Sequence, residues 1–79
     1  MNNHAEVAKL KQIFADILGC EVDDVVSTLS PDTSEQWDSM AHVKIVIAIE
    51  EEFGVVITPE EQFDFDEYGQ FEKRVVSTA

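Results

Sequence analysis

The chain has 79 residues, with seventeen acidic residues against five basic ones and a net charge of −12. That charge repels nucleic acid and anionic membrane surfaces, favours basic protein patches and, being self-repulsive, predicts stability that depends on salt. The length suits one small domain over residues 1–79, and the lone Cys20 excludes an intramolecular disulfide, so several apolar helices must share one core.

From Ala5 to Leu18, residues Val7, Leu10, Ile13, Phe14, Ile17 and Leu18 follow the i, i+3, i+4, i+7 spacing of an amphipathic helix. Asn3 can cap it and Gly19 can end it in a left-handed conformation. The start MNNHAEVAKL lacks the basic opening and long apolar run of a signal peptide. No stretch approaches about 18 apolar residues, so a soluble, monomeric, cytoplasmic protein is expected.

A long connection follows from Cys20 to Asp38, and loops of this length usually carry function. Val25, Val26 and Leu29 are expected to tuck back onto the core and hold it. The runs VDDVV and FGVVIT have strand-like composition but no turn to pair them, so the fold class is all-α.

The second helix is expected from Ser39 to Phe53, with Asp38 as its cap and Gly54 as its stop. At about 100° per residue, Ile45, Val46, Ile49 and Phe53 share one side. Met40, Val43 and Ile47 widen the apolar arc to roughly 220°, where one docked face needs little more than about 100°. Either both sides are packed, or one flank is left for a partner. Glu50, Glu51 and Glu52 sit unfavourably at the negative end of this helix, which makes sense if they meet a basic partner.

Thr58-Pro59-Glu60-Glu61 is a capping box with proline at the first helical position, opening a short third helix that DFDEYG interrupts by about Asp66. A last helix from about Glu67 to Val76 would bury Phe71, Val75 and Tyr68.

Ser39 is the residue with chemical interest. Its hydroxyl stands where loop becomes helix, beside unpaired N–H groups and a positive dipole end that suit a phosphate ester. Nucleophilic catalysis would need a base, and only His4, in the terminus, and His42, one turn on, are present. Asp64, Asp66 and Gly69 match the start of a calcium-binding loop, but Tyr68 and Val75 occupy the places of two required oxygen ligands. No metal site follows, and no phosphate-binding glycine loop, zinc spacing or basic stripe is present. The serine therefore reads as modified, not attacking; alternatively Asp38 and Ser39 only cap the helix.

Over nearly its whole length the chain resembles the acyl carrier proteins. The resemblance rests on Asp38-Ser39-Met40 in place of Asp-Ser-Leu, the following helix ending EEEFG, and VVITPEE leading to the short helix. It implies a four-helix bundle of three main helices and a short third one, with the long loop between helices one and two. Ser39 would carry 4′-phosphopantetheine, taken from coenzyme A by a phosphopantetheinyl transferase, and its thiol would hold acyl groups as thioesters. The carrier itself would be no enzyme. Its other partners would be an acyl- or aminoacyl-loading enzyme and a downstream synthase or transferase. They would meet Asp38, Met40, Val43, Lys44, Ile47, Glu50 and Glu51 on helix two and its cap.

Departures refine this expectation. Glu35-Gln36-Trp37 replaces Leu-Gly-x before Asp38, Lys44 stands where an acid is frequent, and His42 is unusual. They favour a specialised pathway (polyketide, modified lipid, or aminoacyl and peptidyl transfer) over housekeeping fatty-acid synthesis. Met1 and the short tails suggest a free-standing carrier. Two other classes compete: a carrier-like interaction subunit never modified at Ser39, and a calcium-responsive helical protein.

Overall fold

The computed structural model describes residues 4–78, with side chains as far as Val76. Four α-helices follow in order: α1 (His4–Leu18), α2 (Ser39–Phe53), α3 (Pro59–Asp64) and α4 (Tyr68–Thr78). No strand occurs among the described residues, and no helix there is long and apolar enough to cross a membrane. VDDVV instead forms a single 3-10 turn, Val22–Asp24, closed by reciprocal bonds between Glu21 and Asp24. FGVVIT runs off the end of α2; Val55 and Ile57 face inward and Val56 outward, as in a strand, but without a partner strand.

Local signals account for the helix ends. Gly19 takes a φ of 68°, and the Cys20 N–H returns to the Ala15 carbonyl at 3.0 Å, closing α1 with a Schellman bond. The expected α1 cap, Asn3, lies outside the described residues. Asp38 is extended, and its Oδ1 accepts the Ala41 N–H at 2.8 Å to start α2. Gly54, with φ 66° and ψ 26°, stops it. Thr58 and Glu61 exchange side-chain and backbone bonds around Pro59, so α3 begins with the capping box its sequence announces.

The helix α1 packs against both α2 and α4. Phe14 of α1 is fully buried and meets three rings edge-on, at centroid distances of 5.4 Å to Trp37, 5.0 Å to Tyr68 and 5.5 Å to Phe71. Each edge-to-face pair is worth about 0.5–1.5 kcal/mol beyond the burial of its area. These rings come from α1, the long loop and α4, so the loop is part of the core and not a tether around it.

Two further ties hold that loop. The first two N–H groups of α4, on Tyr68 and Gly69, donate to the carbonyls of Leu29 and Ser27 at 2.8 and 3.0 Å. Loop carbonyls thus satisfy donors that a helix start leaves without intrahelical partners. Val25 is buried and Leu29 packs on the core, but Val26 is 51 % exposed, which corrects the expectation that all three turn inward. After the 3-10 turn the chain bends sharply at Val25, with φ −84° and ψ 84° and the Val26 N–H bonded to the Asp24 carbonyl at 3.0 Å, and this tight turn separates the two side chains.

The short helix α3 differs from the others: none of its side chains is buried. Polar ties secure it. Arg74 of α4 bonds the Glu61 carboxylate at 2.6 Å and the Val56 carbonyl at 2.9 Å, and His42 of α2 reaches the Gln62 carbonyl at 2.8 Å.

Candidate functional site

Ser39 is exposed as the first residue of α2, and the geometry around it follows from the cap. The Asp38 carboxylate takes the Ala41 N–H, and the Asp38 carbonyl takes that of His42 at 2.9 Å. The Ser39 and Met40 N–H groups have no acceptor among the described residues. They add to the positive end of a fifteen-residue helix, where an anion attached to the Ser39 hydroxyl gains donors and a favourable dipole.

His42 is no base for this serine. Its Nδ1 accepts from the Trp37 indole N–H at 3.0 Å, and because an indole nitrogen only donates, this contact fixes the tautomer. The proton is on Nε2, which donates to the Gln62 carbonyl at 2.8 Å. Both ring nitrogens are therefore engaged elsewhere. The imidazole stacks on Trp37 at 6.0 Å and meets Phe71 edge-on at 5.8 Å. His42 is a strut between the loop, α2 and α3.

Beside Ser39 lies an open groove of about 640 Å³. One wall is formed by Ser39, His42 and Val43, the other by Gln62, Phe63 and Phe65, with Trp37 at its base. Phe63 is 87 % exposed, and Trp37 only 2 %.

The other expected helix-two residues divide by orientation. Met40, Val43 and Ile47 are 72, 46 and 50 % exposed, so the wide apolar arc is not packed on both sides: one flank stays in solvent. Lys44 and Glu51 are exposed beside them. Glu50 is turned inward, its Oε2 accepting the Ile57 N–H at 2.8 Å, which fixes the segment between α2 and α3. Asp38 is exposed but committed through Oδ1 to the cap.

Sequence reasoning did not single out Gln62, Phe63 or Phe65, nor the burial of Trp37. One signal was available for Phe63: a large ring among Gln, Asp and Glu in a helix too short to bury much.

Two comparisons with known proteins bear on this arrangement. Residues 8–75 match the family model described as the phosphopantetheine attachment site. An acyl carrier protein of Thermosynechococcus vestitus is 39 % identical over 61 residues, which span 77 % of this chain and 75 % of that protein.

Proposed function

Given that the chain belongs to the acyl carrier protein family, we propose that Ser39 is its attachment point for 4′-phosphopantetheine. The observation that carries this reading is an exposed serine at the first position of a capped helix, inside the matched span, with both nitrogens of nearby His42 engaged elsewhere. The donors present suit the group: two unengaged N–H groups and the helix dipole for its phosphate, and an unobstructed hydroxyl for its linkage.

With His42 engaged elsewhere, deprotonation of Ser39 falls to the phosphopantetheinyl transferase. Its Oγ then forms the bond to the β-phosphorus of coenzyme A, and 3′,5′-ADP leaves with the pyrophosphate oxygen. When attached, the arm supplies a thiol that holds an acyl group as a thioester. The chain's own residues position the serine, and the chemistry is left to the partner enzymes.

Docking falls to the exposed Met40, Val43 and Ile47 flank, with Asp38 and Glu51 as its acidic neighbours and Lys44 as a positive interruption. A charged rim around a modest apolar patch favours fast, reversible encounter with basic surfaces, as a carrier visiting a transferase, a loading enzyme and a downstream synthase requires. Glu50 contributes by holding the neighbouring backbone. We assign the 79 residues to one carrier domain serving polyketide, lipid or other specialised biosynthesis, aminoacyl and peptidyl cargo included.

Incubation with coenzyme A and a broad-specificity phosphopantetheinyl transferase should add one phosphopantetheine mass to the wild type and none to Ser39→Ala. An unmodified wild type, with the transferase active on a control carrier, would leave an unmodified interaction subunit as the reading.

A further inference from the structure

Ser39 stands in the wall of the groove that α3 completes, so anything attached to it begins inside that groove. The opposite wall is unusual for a small acidic protein. Phe63 exposes nearly its whole ring, and the Gln62 side-chain amide beside it has no hydrogen-bond partner among the described residues. An amide next to an exposed ring matches a ligand that combines a dimethyl-bearing carbon with two amide groups spaced by methylenes, which is the chemistry of a pantetheine arm. Tethering gives such a ligand a local concentration of the order of millimolar, so weak contacts suffice to seat it.

The base of the groove is shut. Trp37 donates to His42 and His42 to the Gln62 carbonyl, a bridge from the loop through α2 to α3. Directly behind it Phe71 meets His42, Trp37 and Phe65, with centroids 5.8, 6.2 and 5.0 Å away. Beyond these, Phe14, Ile45 and Phe71 have 0 % exposure. An alkyl chain entering between α2 and α3 would have to break the bridge and then displace close-packed rings.

With the arm starting in that groove, we infer that the Trp37–His42–Gln62 bridge keeps its cargo out of the helical core. This rests on attachment at Ser39. It also assigns a cargo class: short or polar acyl groups, because a long alkyl chain left on the surface exposes more apolar area with every methylene. His42 is then a positioning residue, acting through the bridge and not on the thioester.

The test uses holo protein whose loading is verified by intact mass; absence of that mass overturns attachment at Ser39, whereas the outcomes below address the groove alone. Comparison of apo and holo forms by amide NMR should show shifts at Val43, Gln62 and Phe63 and at the indole of Trp37, the single tryptophan. Leu10 and Ile49, deep in the core, should not move. Mass-verified holo Phe63→Ser should lose the Gln62 shift. Acetyl, butyryl and octanoyl forms should melt at the same temperature, while Trp37→Phe, which removes the indole donor and keeps a ring, should make melting rise from acetyl to octanoyl. Unshifted groove residues in the wild type would overturn the premise that the arm starts in the groove. A wild-type melting temperature that climbs with chain length, or a Trp37→Phe series as flat as the wild type, would overturn the bridge as a barrier.

Discussion

Replacing Asp38 by alanine removes the one side-chain acceptor at the start of α2, leaving the Ala41 N–H without its 2.8 Å partner. Loss of such a cap costs about 1 kcal/mol. Removing a carboxylate from the positive end of a helix costs about 0.5 kcal/mol more. Together these reach about 1.5 kcal/mol, which in a domain of this size lowers the melting temperature by about 6–12 °C. Asp38→Asn separates the two contributions, because the amide oxygen can still cap. It loses only the charge, and at a net charge of −12 the relief of self-repulsion offsets part of that loss. The expected drop for asparagine is therefore about 0–4 °C. Thermal melts followed by helical circular dichroism measure both variants. If the asparagine variant melts with the alanine variant, or alanine lies within about 2 °C of wild type, the cap is not what starts α2.

Two other outcomes follow from burial and from the α3–α4 ion pair. Val25→Ala removes two buried methyl groups and should cost about 2 kcal/mol in urea denaturation, whereas Val26→Ala, half in solvent, should stay within about 0.5 kcal/mol. The Arg74 hydrogen bond, aided by the Thr58 N–H, holds the Glu61 carboxyl below the ordinary carboxylate range. A group whose folded value is depressed stabilises the fold above its unfolded value, and that contribution fades as pH falls through the folded value. In Arg74→Gln the Glu61 titration, followed by its carboxyl carbon shift, should therefore move up. The stability gap to wild type should be full near neutrality and shrink in acid; a gap independent of pH would refute the assignment.

Legibility in the sequence tracked the range of the interactions. Asp38, Gly54 and the Thr58–Glu61 box act within one helical turn, and the backbone obeys them where their letters stand. The buried stripe of α2 followed from period alone; the arc too wide for one contact left open whether its second flank was packed, and only the fold places Met40, Val43 and Ile47 in solvent. The loop obeyed no period, so nothing local said that Val25 would point in and Val26 out. Trp37 sits among polar residues, and its burial depends on Phe14 of α1 and Phe71 of α4, far away in sequence. The indole–imidazole–carbonyl bridge likewise joins positions twenty residues apart, His42 and Gln62, which no spacing rule connects. Glu50 looked like part of a solvated acidic run until the chain turned back and offered the Ile57 N–H. Ser39 stood out from its place where loop becomes helix, but the groove beside it became visible only when α3 was placed.

The helix α3, which buries no side chain of its own and is held by hydrogen bonds and an ion pair, has a kinetic consequence. Opening it exposes little apolar area, so it forms a separate low-energy unit from the ring-packed core of α1, α2 and α4. Its amides should exchange with solvent through local opening, at rates set by Arg74 and His42, while those of Phe14 and Ile45 wait for global unfolding. Such a protein has one compliant wall on a rigid body. Opening that wall leaves Phe71 and the rings packed on it in place, so the start of α2 at Ser39 is undisturbed.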